Sequence, residues 1–187
     1  MTVAASRARV EYRAAVDEAS AILLTGVYGV GKSSVAAEVA GVLEARGVPY
    51  AAFDLDWLAW SNVAGAGHDE AELLASNLAA VVANVRARGA ARLVLAGCIL
   101  DEARLAAVRA AVGVPLRVVV LTAPVDEIER RLLASPESGR ADDLREAIAW
   151  LAAGHPAPPA DAVVDNAGPL ADTAARVLAA VGWDDAA

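Results

Sequence analysis

Residues 26–33 read Gly-Val-Tyr-Gly-Val-Gly-Lys-Ser, directly after the short apolar run Ser20-Ala-Ile-Leu-Leu-Thr25. Few stretches of eight residues restrict a fold so tightly. The glycines at 26, 29 and 31 permit backbone angles closed to other residues and let neighbouring groups come close. In such a loop the backbone N–H groups turn inward and line a concave anion site. The pattern G-x-x-x-x-G-K-[ST] needs a strand before it and a helix after it. Both are expected here: residues 20–25 read as a buried strand, and Lys32–Arg46 as a helix that stops at Gly47 and Pro49. The predicted phosphate cradle is therefore Gly26, Val27, Tyr28, Gly29, Val30, Gly31, Lys32, Ser33 and Ser34, with Lys32 neutralising phosphate charge and the Ser33 hydroxyl placed to ligate Mg2+.

Composition sharpens one position of that loop. Of 16 basic residues, Lys32 is the single lysine and all others are arginine. A chain so biased towards arginine keeps lysine where a slim, flexible point charge must thread between phosphates, a place ill suited to the broad guanidinium fork. Composition also excludes function classes. The net charge of −8 disfavours capture of a nucleic-acid backbone, which needs concentrated Lys and Arg. Cys98 is the only cysteine, so neither an internal disulfide nor a cysteine metal cluster can form. No run approaches the roughly 18 uncharged apolar residues of a membrane helix. Met1–Ser20 carries six charged residues and lacks the apolar stretch of a secretory signal. A cytoplasmic protein acting on a small molecule is expected, without a membrane and without nucleic acid as partner.

Along its 187 residues the chain alternates strand-like and helix-like segments, which predicts one α/β domain with a parallel sheet covered on both faces. Strands are expected at 20–25, 50–53, 92–96, 116–122 and 162–164. Helices are expected at about 3–19, 32–46, from Asp69 through the stripe Leu74, Leu78, Val81, Val82 and Val85, then at 101–112, 124–134, 142–153 and 169–181. The helix expected at 124–134 is broken by the polar stretch Ser135-Pro136-Glu137-Ser138-Gly139-Arg140. After the second strand comes Asp54-Leu55-Asp56, two carboxylates at the strand's C-terminal end, where open α/β sheets hold ligands. The third strand ends in Ala96-Gly97 and carries no acidic residue there. Trp57 and Trp60, three apart, either wall a pocket or pack as a cap over the sheet. Gly97 offers a close approach for substrate, Cys98 reads as a buried small hydrophobe, and His68 and His155 have no partners at metal-ligand spacing.

With its loop, its acidic pair and its order of elements, the chain resembles the P-loop small-molecule and nucleotide kinases, especially the adenylylsulfate, shikimate and gluconate kinase-like branch. The resemblance spans most of residues 20–183, and it implies a substrate cap at 55–75 and a lid at 130–142. It implies the three-layer α/β/α P-loop NTPase fold, with a five-stranded parallel sheet in the order 2-3-1-4-5, and it implies ATP and Mg2+. By position in that family, Asp54 orients Mg2+ and Asp56 contacts or deprotonates the accepting hydroxyl. Arginines of the family's lid bind the transferring phosphoryl group, which points to Arg130, Arg131 and Arg140; the usual second arginine, four residues after Arg131, is here Ser135. Asn166, after the last strand, falls where similar kinases hold adenine. The activity implied is phosphoryl transfer from ATP to a small-molecule hydroxyl or phosphate. Two alternatives stay open: a non-catalytic ATP-binding switch, and a polynucleotide-end kinase, the latter weakened by the acidic balance. A GTPase reading fails, because a single lysine leaves no N-K-x-D signature.

Overall fold

A computed structural model describes residues 19–61, 69–136, 139–154 and 158–184. The expected helix at 3–19 and both histidines lie outside those residues or at their margin, as do parts of the expected cap and lid. Five strands, β1 (Ser20–Thr25), β2 (Tyr50–Asp54), β3 (Arg92–Ala96), β4 (Leu116–Thr122) and β5 (Ala162–Asp165), form one sheet in the order β2-β3-β1-β4-β5. Every pairing is parallel, with Ile22 opposite both Val94 and Arg117, and Asp54 opposite Ala96. The described helices are α1 (Lys32–Ala45), α2 (Leu55–Ala59), α3 (Glu70–Arg86), α4 (Glu102–Val112), α5 (Val125–Ala134), α6 (Arg140–Ala152) and α7 (Leu170–Val181).

Side chains alternate across each strand, so a strand buried on both faces reads as an unbroken apolar run. Ile22 and Leu24 of β1 join Val94, Val119 and Leu121 in one core, closed by α1, α5, α6 and α7. Ala21 and Leu23 face the other way and join Leu93, Leu95 and Val118 under α3 and α4. Leu78 and Val82 are buried there, with Leu74 and Val85 packed beside them, as the helical stripe predicts.

Helix boundaries follow local chemistry. Asp69 caps α3 by accepting hydrogen bonds from the amides of Ala71 and Glu72, and Asp101 caps α4 through the amide of Arg104. Pro124 precedes α5, and left-handed glycines open α6 (Gly139) and close α4 (Gly113) and α7 (Gly182). The sixth helix starts two residues before its expected position, since Gly139 at φ +85° reverses the chain at once and lets Arg140 begin the helix.

Candidate active site

Gly26–Gly31 joins the C-terminal end of β1 to the first turn of α1, and its three glycines have φ values of +140°, +82° and +93°. Each also lacks room for a side chain. A Cβ at Gly26 would stand 2.5 Å from the Leu121 carbonyl oxygen, one at Gly29 would stand 2.8 Å from Ile128 Cγ2, and one at Gly31 would stand 2.6 Å from Asn166 Nδ2. The loop is thus wedged between β4, α5 and the residue after β5. Lys32, nearly buried, donates from Nζ to the carbonyls of Gly26 and Val27, both at 3.1 Å, and lies 5.1 Å from the centre of the Tyr28 ring. Its ammonium is therefore held inside the curve of the loop. That combination of turned glycines, no space for Cβ atoms and an enclosed cation fits a nucleotide's phosphates.

Asp54 reaches the same place from another strand. Paired strands in register carry their side chains on the same face, so Asp54, opposite Ala96, shares the face that α1 covers. Ser33 Oγ donates to Asp54 Oδ2 at 2.5 Å, and Asp54 Oδ1 accepts from the amide of Asp56 at 3.1 Å, capping α2. A carboxylate at the tip of β2 thereby stands where β3 offers only Ala96 and Gly97. A hydroxyl and a carboxylate are the hard oxygen donors that suit Mg2+, an ion that keeps waters and substrate phosphates among its ligands. Among the described residues no cluster of three or more His, Cys, Asp or Glu could hold a metal by itself. The pair Ser33 and Asp54 fits a magnesium ion carried with a nucleotide.

Beside the cradle lies a pocket whose apolar floor is Leu55, Ala59, Leu74 and Ile99, and whose polar groups are Tyr28, Asp56, Glu70 and Arg104. Asp56 keeps access to solvent. Even so, desolvation by the surrounding protein raises its pKa above the usual carboxylate value, and repulsion from Asp54 adds to the shift, while Lys32 and the amide of Cys98 pull it down. Desolvation raises the Tyr28 phenol too, helped by Cys98, Asp56, Glu146 and Asp143, so this hydroxyl stays protonated and can donate. Cys98 also lines the pocket; burial pushes its thiol up, which leaves it an unreactive wall. Gly97 does not open a path for substrate: the space beyond its Cα is taken by Leu55, whose Cβ would be 2.9 Å from an added Cβ. That glycine is a packing requirement.

Arg131 and Asn166 differ from expectation. Arg131, placed by resemblance among the phosphoryl-binding arginines, instead donates from Nε to Glu127 at 2.7 Å, from Nη1 to the Val30 carbonyl at 3.2 Å and from Nη2 to the Asn166 carbonyl at 2.7 Å. The Asn166 side chain is fully buried and donates from Nδ2 to the same Val30 carbonyl at 2.7 Å, an arrangement that braces the loop and leaves no exposed amide to read a base. Arg130 points outward and pairs with Glu127, and Arg140 pairs with Asp143 at 2.7 Å. Ser34 is exposed on the first turn of α1. Among the described residues, Trp57 and Trp60 neither pack on the sheet nor line the pocket; they meet each other at 4.8 Å, 67% and 74% exposed.

Several residues of the site escape a sequence reading. Thr25 looks like the end of an apolar strand, yet its buried hydroxyl donates to the Ile99 carbonyl at 2.8 Å and accepts from the Ile99 amide at 3.1 Å, tying the pocket wall to β1. Only the fold brings these residues together. Glu127 had a local signal, since it stands three and four residues before Arg130 and Arg131 on one helix. Glu70 and Arg104 lie on separate helices, and nothing in the sequence links them to Asp56.

No protein-family model matches the sequence, and neither does any curated protein. Solved structures do match. The chain resembles the adenylylsulfate (APS) kinase of Mycobacterium tuberculosis, solved with AMPPNP and APS, with a TM-score of 0.58 at 20% identity over 88% of this chain and 98% of that one. A gluconokinase from Sinorhizobium meliloti 1021 gives 0.58 at 21% identity over 88% and 93% of the two chains. A shikimate kinase from Bacteroides thetaiotaomicron gives 0.60 at 18% over 87% and 98%. At such identities the likeness is one of fold, and together with the sheet order and the glycine loop it establishes that this chain has the fold of the P-loop small-molecule kinases.

Proposed function

We propose that this chain is a phosphotransferase that moves the γ-phosphoryl group of Mg-ATP to a hydroxyl of a small molecule. One observation carries the reading: the phosphate loop with Lys32, the Ser33–Asp54 pair at 2.5 Å and the Asp56-lined pocket meet at the C-terminal edge of one sheet. Amides of the loop and the Lys32 ammonium would take the nucleotide's phosphates. Ser33 would ligate Mg2+ and Asp54 would orient it, and the ion would supply charge neutralisation to the phosphates. Tyr28 stands between cradle and pocket, so its phenol can orient an acceptor next to the loop.

Asp56 is suited to the base role. A carboxylate whose pKa is raised binds a proton more strongly, which favours its taking one from a bound hydroxyl. As the new oxygen–phosphorus bond forms and the bond to ADP breaks, that proton passes to Asp56. Small-molecule acceptors are favoured by the net charge of −8, which repels a nucleic-acid backbone.

Calorimetric titration with Mg-ATP tests the reading. Wild type is expected to bind, and Lys32→Ala to lose about 30- to 150-fold in affinity, the loss of a charge-assisted contact worth about 2–3 kcal/mol. Absence of binding by wild type at millimolar Mg-ATP would sink the proposal.

A further inference from the structure

We infer that Asn166 and Arg131 are positioning residues, which together hold the Val30–Gly31 peptide so that the Gly31 amide faces the phosphate cradle. The inference rests on the nucleotide reading of the loop given above. A peptide unit is planar and trans, so the carbonyl of one residue and the N–H of the next point in opposite directions. Here the Val30 carbonyl is gripped by two donors, Asn166 Nδ2 at 2.7 Å and Arg131 Nη1 at 3.2 Å, both on the side of the loop that faces α5 and the end of β5. The Gly31 N–H is thereby turned the opposite way.

Glycine makes this restraint necessary. Gly31 must be glycine, at φ +93° with Asn166 Nδ2 filling the place of a Cβ, yet glycine takes either sign of φ with little cost. An unrestrained Val30–Gly31 peptide could flip and present a carbonyl oxygen to an anion. The grip is rigid because each part is itself held. Asn166 is fully buried, its own amide donates to the Thr122 carbonyl at 2.7 Å, and its carbonyl accepts from Arg131 Nη2 at 2.7 Å. Arg131 is fixed in turn by Glu127 at 2.7 Å. Among the described residues the buried Asn166 Oδ1 has no hydrogen-bond partner, so the Val30 carbonyl is what sets the orientation of this amide.

The test uses Mg-tripolyphosphate, which offers phosphates and no base, beside Mg-ATP. Asn166→Ala and Arg131→Met are each expected to weaken both ligands about tenfold and by matching factors, since each removes one restraint worth about 1.4 kcal/mol. In proton–nitrogen correlation spectra the Gly31 amide should shift on addition of tripolyphosphate in wild type and shift less in either variant, a change that mere loss of stability does not produce. Arg131→Met carries the same test if Asn166→Ala does not fold. Variants that bind tripolyphosphate as wild type does, or that lose affinity for ATP alone, overturn the inference. Wild type that binds neither ligand removes the nucleotide reading and this inference with it, whereas wild type that binds both, beside unaffected variants, removes only the inference.

Discussion

Under the proposed function, Asp56 would trade stability for chemistry. Its pKa in the fold lies above the ordinary aspartate value, so the folded chain binds the proton more tightly than the unfolded chain does. The sign follows: Asp56 favours folding at low pH, and that contribution is lost as pH rises through the folded value. Asp56→Asn is therefore expected to raise the melting temperature at pH 7 while lowering phosphoryl transfer by about 100- to 10,000-fold, with Mg-ATP affinity retained. Thermal melting and a coupled ADP assay on the same samples would check this, and an unchanged turnover would exclude Asp56 as the base. In wild type, transfer should fall as pH drops, with its midpoint above the ordinary carboxylate range. At this scale the loop was fully legible in the sequence, because Gly26, Gly29, Gly31, Lys32 and Ser33 act through spacing alone. Arg131 and Asn166 drew notice only through family resemblance, and their hydrogen-bond partner was not legible, since Val30 lies more than a hundred residues away from both.

Between elements, the contact that matters most is α5 against the phosphate loop. Ile128 and Leu132 close on Gly29, and one turn of the same helix sends Arg131 to Val30. Glu127 secures that turn. Hydrogen bonds from Arg130, and then from Arg131, hold its carboxyl down at about 2, below the ordinary glutamate value of 4.5. A depressed carboxylate stabilises the fold above its unfolded pKa, and the effect is lost as pH falls from 4.5 towards 2. Glu127→Gln is thus expected to melt earlier than wild type at pH 7 and to converge with it at about pH 2–3, as followed by circular dichroism. A constant difference across that range would mean that the ion pairs contribute nothing. Element positions were largely predictable: β1, β3 and β4 match their expected bounds, because continuous apolar runs ended by glycine, proline or threonine mark buried strands. Gly97 was misread for a physical reason. A glycine at a strand end looks alike in sequence whether its missing Cβ makes room for a ligand or for Leu55.

For the whole molecule, the parallel sheet covered on both faces is the property that permits the site. Neighbouring residues of β1 serve separate cores, Leu24 under α1 and α7, Leu23 under α3 and α4, and both are fully buried. Leu23→Ala and Leu24→Ala should each cost about 2–5 kcal/mol in urea unfolding, because each leaves a cavity in close-packed surroundings. A cost confined to one of the two would contradict a sheet covered on both faces. No described helix is long and apolar enough to cross a membrane. Two things follow from sequence by itself: the alternation of strands and helices, and the phosphate loop between β1 and α1, both written in local periodicity and in residues that tolerate unusual backbone angles. The strand order was reached only through family resemblance, as no local signal states which strands are neighbours. Tertiary structure alone decided that Asp54, one strand beyond β3, meets Ser33, that Glu70 and Arg104 share a pocket with Asp56, and that Arg131 and Asn166 grip a carbonyl behind the loop. Such contacts depend on where the β2-β3-β1-β4-β5 sheet places the ends of its strands, and distances across a sheet have no counterpart in spacing along a chain.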